Sequence, residues 1–147
     1  PLTIDLDSGV YFRPDRDGAA LVGGHFAESD PAADPDSYRQ SFDLEWAAAA
    51  LERTVEVAGY FDLDSRIKRG WAGLYTVTPD DRAIVEESIP GFVQAVGFSG
   101  HGFQHAPATG QLVAQLVLEG SASLVDIEPL RSDRFQDSEL DAEWQVA

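Results

Sequence analysis

The residue pattern of this 147-residue chain reads as α+β. It implies an antiparallel or mixed β-sheet, one long helix and a second helix near the C-terminus. Three observations carry this. Short aromatic and β-branched runs alternate with turn chemistry, as in hairpins. One long apolar stripe recurs at helical spacing. No strand–helix–strand alternation of the parallel kind is present.

In chain order, residues 1–27 read as a hairpin region. Val10 to Arg13 and Ala19 to Gly24 are strand-like runs around the turn Pro14 to Gly18. The paired Gly23 and Gly24 point to a close backbone approach or a bulge. Residues 28–36 form a polar loop. Ser37 and Gln40 have capping-box spacing at the start of a helix. Leu44, Ala48, Leu51, Val55 and Ala58 supply its apolar stripe, and Gly59 suits its C-cap. Gly70 to Val77 reads as a strand in which Trp71 and Tyr75 are core aromatics. After a turn over Thr78 to Asp81, Ala83 to Val85 and Phe92 to Val96 are short strands around Pro90-Gly91. A glycine-rich loop covers Gly97 to Gly102. Pro107 fits the first turn of the last helix. Leu112, Val113, Leu116 and Val117 give that helix its apolar face, and Gly120 stops it. The expected order is β-β-α-β-β-β-α, followed by an acidic tail over 136–147.

Hydrophobic residues make up 44% and aromatics 10%, enough for a core, so wholesale disorder is excluded. Asp plus Glu is 26 against 10 Lys plus Arg, a formal charge of −16. Such a surface repels phosphate, so neither nucleic acid nor an anionic membrane is an expected partner. No run approaches the roughly 18 apolar residues of a membrane helix. Lys68 is the only lysine. Excess carboxylate with almost no lysine fits a salt-adapted cytoplasm. There is no cysteine, hence no disulfide and no thiolate metal site. There is no methionine either and the chain opens on Pro1, so a portion of a larger protein is the expectation.

The glycine-rich loop Gly97-Phe98-Ser99-Gly100-His101-Gly102-Phe103 follows a strand and precedes a helix. Its glycines let backbone amides approach a ligand, and the helix adds unpaired N–H groups and a positive dipole end. The order G-x-x-G-x-G is not the dinucleotide fingerprint, and His101 breaks the nucleophile-elbow pattern. A turn that needs glycine only for shape stays open as an alternative. His101 and His105 are four apart without the glutamate of the zinc-protease motif. A His25, His101 and His105 zinc site is disfavoured because Gly102 and Pro107 argue against a continuous helix there. No metal is expected. His25 lies at a strand end, where sites often sit, but composition alone favours a surface loop histidine.

Two stretches resemble a known family. Trp71 to Asp80 (WAGLYTVTPD) is similar to a segment of FAD-dependent amine and amino-acid oxidoreductases, the D-amino acid, glycine, sarcosine and dimethylglycine oxidases. Pro90-Gly91-Phe92 followed by Ala95 to Phe103 resembles that family's glycine-rich signature. Ala106 to Gly110 is similar to the start of its last helix. Val10 to Pro14 resembles an upstream hairpin, and Arg134-Phe135 a terminal motif. The likeness is dense over 70–120 and thinner over 8–26.

The resemblance implies the C-terminal, substrate-side portion (1–135) of a larger flavoenzyme, with FAD as cofactor. Phe98, Gly100, His101, Gly102, Phe103 and Gln104 would lie along the flavin ring. The last helix would face the flavin, its positive end toward the pyrimidine side, where reduced flavin carries negative charge. Tyr75 would face a small amine or amino-acid substrate, and His25 would sit beside it. Gly73 stands where some relatives attach flavin through cysteine, so attachment there is excluded. Gln104 replaces a carboxylate-binding lysine and Leu21 an oxygen-activating one, which fits a dehydrogenase as well as an oxidase. The family's N-terminal ADP-binding unit is not in this sequence and would come from the missing region or from a partner chain. Hydride transfer from a small amine to flavin is the implied activity. A partner-dependent or non-catalytic acidic subunit is the alternative.

Overall fold

The computed structural model describes residues 1–26 and 32–136. These fall into two compact units that divide between Leu74 and Tyr75. The fold class is α+β with antiparallel sheets and two helices, as expected.

The first unit begins with a meander of β1 (Thr3–Ile4), β2 (Val10–Pro14) and β3 (Ala20–Gly24), each antiparallel to the next. The 10–24 hairpin is as expected, while β1 is an addition too short to show periodicity. Val10 and Phe12, two apart on β2, are buried on one face, as strand alternation requires. The paired glycines do mark a close approach. A Cβ at Gly24 would come within 2.9 Å of the Gly9 carbonyl oxygen, and at Gly23 it would collide with the Tyr11 ring.

Helix α1 (Leu44–Val57) packs across β2 and β3. It starts six residues later than the capping-box spacing implied. Ser37 instead donates its hydroxyl to Asp34, 2.7 Å away, closing a local turn. Asp43 is the N-cap: its carboxylate accepts the Glu45 N–H at 2.9 Å and the Trp46 N–H at 3.4 Å. The buried face is also rotated. Ala47, Ala50 and Thr54 are buried, whereas Leu44 is 73% exposed. Small side chains bring the helix backbone close to the sheet, so the larger residues of the expected stripe are left at the side or outside. The helix ends at Ala58 in an extended conformation, without a left-handed Gly59. Around this unit Phe12 meets the Tyr60 and Phe61 rings edge-on. Arg53 lies over Phe26, which stacks on Trp46.

The expected strand over Gly70 to Val77 has no ladder partner and is not part of a sheet. Its bonds are scattered. The Ala72 N–H goes to the Gln40 carbonyl in the first unit, and Thr76 and Thr78 bond to Ser99 in the second. Trp71 is 61% exposed, so it is no core aromatic.

The second unit is a hairpin, β4 (Ile84–Ile89) and β5 (Phe92–Val96), covered by α2 (Gly102–Glu119). Gly91 turns the hairpin with φ +82°, and the register shifts between Glu87 and Ile89. Val85, Leu112 and Leu116 form the core, joined by Val93, Ala95, Phe98, Ile127 and Leu130. Glu86, next to Val85, points to the opposite face. There it accepts the Ser132 N–H and hydroxyl and the Gln94 amide. Burial pushes its carboxyl up, but these bonds outweigh that and hold it below the ordinary value. Helix α2 starts five residues before Pro107, not at it, and is continuous through it. Pro107 has no N–H, so the Phe103 carbonyl lacks its usual i+4 donor. Gly120 caps the helix in the left-handed conformation, as expected. Of the expected 136–147 tail, only Gln136 is within the described residues, as the end of a 3₁₀ turn.

Candidate functional site

The glycine-rich loop is fixed from beneath by the segment before it. Ser99, 3% exposed, donates its N–H to the Thr76 carbonyl at 3.1 Å and accepts the Thr78 N–H on its hydroxyl at 3.3 Å. Thr78 also seats the strand exit. A Cβ at Gly97, which has φ +69°, would come within 2.5 Å of the Thr78 methyl. Only glycine meets both demands.

Thr78 is held in turn by a buried polar chain. Its hydroxyl bonds to the Arg82 carbonyl at 2.8 Å and to Asp80 at 3.2 Å. Asp80 takes a two-pronged grip from Arg134, with Nε–Oδ2 2.7 Å and Nη2–Oδ1 3.0 Å. The Arg134 guanidinium holds the Asp80 carboxyl down at about 2, below its ordinary 3.8, with the Arg82 N–H and Thr78 hydroxyl adding to the effect. Sequence reasoning saw only a turn at 78–81. The clue was there, in an aspartate inside a run that also matches a motif, with an arginine far downstream in another.

Above this support the loop presents its other side outward. Gly100 has φ +91°, and a Cβ there would lie 3.1 Å from Cζ of Tyr75, so the tyrosine ring rests on the bare backbone. Tyr75 is 45% exposed, a wall of the loop and not a core residue. Gly102 accommodates Phe98 in the same manner, at 3.2 Å. His101, the N-cap of α2, makes no side-chain cap bond. Among the described residues the N–H groups of Gly102, Phe103 and Gln104 have no backbone acceptor. Phe103 is 97% exposed, and Gln104 is exposed beside it.

The structure therefore brings Tyr75, Phe98, Gly100, His101, Gly102, Phe103 and Gln104 together. His25 belongs to the first unit, where its N–H bonds to the Gly9 carbonyl at 2.9 Å. Unpaired amides, bare glycine backbone and an aromatic wall fit a flat, electron-rich heterocycle. No charged side chain lies between Gly97 and Leu118 in the sequence. No described helix is long and apolar enough to cross a membrane.

A family model described as FAD dependent oxidoreductase matches residues 1–116. FAD-dependent oxidoreductase domain-containing protein 1 of Mus musculus is 32% identical over 99% of this chain and 30% of its own length. Monomeric sarcosine oxidase of Bacillus sp. (strain NS-129) is 27% identical over 80% of this chain and 31% of its own length. In three dimensions the chain resembles the crystal structure of L-proline dehydrogenase from P. horikoshii. The TM-score is 0.74 at 26% identity, covering 95% of this chain and 36% of that one. The chain thus spans about 30% of the length of the curated relatives it matches.

Proposed function

Since the chain belongs to the FAD dependent oxidoreductase family, we propose that it forms the substrate-side part of a flavoenzyme that oxidises a small amine or amino acid at a C–N bond. The observation that carries this is the unpaired amide turn at the start of α2, set against Tyr75 and fixed by Ser99 and Thr78. When bound, FAD supplies the two-electron acceptor for hydride from the substrate carbon.

The protein's own contributions follow from residue chemistry. Phe98, Gly100, His101, Gly102 and Phe103 line the ring edge. The amides of Gly102, Phe103 and Gln104 would stabilise negative charge on the bound group without reorganising. Tyr75 borders the substrate, and the Gln104 amide offers a further donor. Gly73 has no nucleophile, so attachment there is non-covalent. Residues 1–135 make up this part. The ADP half of the cofactor is held by polypeptide outside this sequence. The −16 charge and single lysine support the reading of a salt-adapted cytoplasmic enzyme. A second reading is an acidic chain that keeps the fold and completes a flavoenzyme only with a partner.

The test is anaerobic titration of the intact, FAD-loaded protein with sarcosine, proline and other N-methyl or cyclic amino acids, following flavin absorbance. Bleaching by one of them supports the reading. A flavin that stays oxidised with every amine and amino acid tried removes it. Flavin uptake by the isolated chain only after a partner is added supports the second reading.

A further inference from the structure

Helix α2 buries one side and leaves the other bare. Leu112 and Leu116 pack on β4 and β5 in the core of the second unit. At 3.6 residues per turn, Phe103, Pro107, Gly110, Ala114, Val117 and Leu118 fall within about 100° of arc on the opposite side. All six are exposed, Val117 at 64% and Leu118 at 81%. The only formally charged side chain on the helix is Glu119, its last residue. Helix α1 of the same acidic chain covers its outer side with Glu45, Glu52 and Glu56. A helix that is apolar on both sides belongs inside a larger core, and a contiguous apolar face on a chain this acidic marks a contact with other polypeptide.

We propose that this stripe docks the polypeptide that holds the ADP half of FAD. The inference rests on the reading above that this half is held outside the present sequence. Continuity with the flavin loop selects the occupant. The stripe begins at Phe103, in the opening turn where the ring edge is placed, and runs down the helix from there. FAD is a single molecule, so whatever holds its ADP half comes within that molecule's length of the same turn. A second copy of this chain is poorly suited, because two surfaces of −16 each repel one another. The docked surface is itself apolar, since a charge set against this face would be buried without a partner. Small residues at the centre let it come close: a Cβ at Gly110 would meet nothing within 4 Å.

The experiment uses the intact, FAD-loaded protein, with the partner chain present if the ADP half is carried separately. Leu118 is replaced by the photoreactive residue benzoylphenylalanine, the sample is irradiated, and cross-linked peptides are sequenced by mass spectrometry. The expected cross-links run to peptides outside residues 1–147, in the polypeptide that carries the ADP-binding unit. Cross-links confined to residues 1–147, within one copy or between two, would overturn the proposal, as would a probe quenched by solvent with no peptide attached. Hydroxyl-radical footprinting of the parent protein needs no variant. Leu118 should be oxidised at least tenfold more slowly in the intact protein than after unfolding in urea. Equal rates would mean that the face is bare, and the docking would be lost. Neither readout involves substrate, so a flavin that no amine reduces would remove the amine-oxidation reading and leave the docking intact.

Discussion

Asp80→Asn interrogates the support beneath the loop. In the native chain Asp80 is 2% exposed and Arg134 12%, measured over their side chains. The variant leaves the guanidinium charged and facing the carbonyls of Arg82 and Arg131. Losing one member of a buried pair costs about 3–5 kcal/mol, and the asparagine oxygen retains one charge-assisted bond, so about 2–3 kcal/mol is expected. By 1.36 kcal/mol per decade, that is a drop of about 30–150-fold in hydrogen-exchange protection over residues 78–96. The acid dependence fixes the sign. Arg134 holds Asp80 at about 2 against 3.8, so its ionised form stabilises the fold. That stabilisation is complete above about pH 4 and is lost as pH falls through 2. It amounts to about 1–2 kcal/mol once solvent screening at Arg134 is allowed for. Protection in the intact protein, corrected for intrinsic exchange rates, is therefore compared from pH 5 to pH 2. The gap between parent and variant should narrow toward pH 2. A loss under threefold, or a gap that ignores pH, would refute the idea that this pair anchors the loop. Arg134→Lys, which keeps the charge and loses the fork, is the milder companion if Asp80→Asn does not fold.

Gly100→Ala forces a Cβ onto a φ of +91°, 3.1 Å from the Tyr75 ring. At about 1–2 kcal/mol for the backbone alone, FAD retention measured by equilibrium dialysis should weaken about tenfold. Leu112→Ala empties part of the Val85–Leu116 core and should lower stability by about 2–5 kcal/mol in urea. The same variant should leave the flavin spectrum unchanged, because Leu112 faces β4 and β5. For the salt-adapted reading, the thermal midpoint should rise with KCl, and a fall would count against it.

Where a segment's structure is set by its own residues, the sequence was readable. The 10–24 hairpin, the Pro90-Gly91 turn, β5 and the Gly120 stop all follow from local conformational preference. The errors come from contacts made at a distance and from local turns that compete for the same residues. Ser37 looks like a cap until Asp34 takes its hydroxyl, and Gly70 to Val77 looks like a strand because no local rule says that it has no neighbour. The stripe on α1 was misplaced because alanines gave a closer fit than leucines. Pro107 was read as a start since prolines favour first turns, yet the glycine-rich loop flows into the helix earlier. In the candidate site, the outward residues from Phe98 to Gln104 were visible as a motif. The Ser99–Thr78–Asp80–Arg134 chain beneath them was not, because it links positions more than 50 apart and only the fold joins them.

The proline inside α2 divides that helix mechanically. Downstream of it, Leu112 and Leu116 are gripped by the hairpin. Upstream, the opening turn is tied back by a 3.4 Å bond from His105 and by Ser99. With no amide at Pro107, one bond of the ladder that joins the two parts is missing, and the opening turn should exchange its amides faster than the packed remainder. A cofactor resting there could come and go without unravelling the helix that greets it.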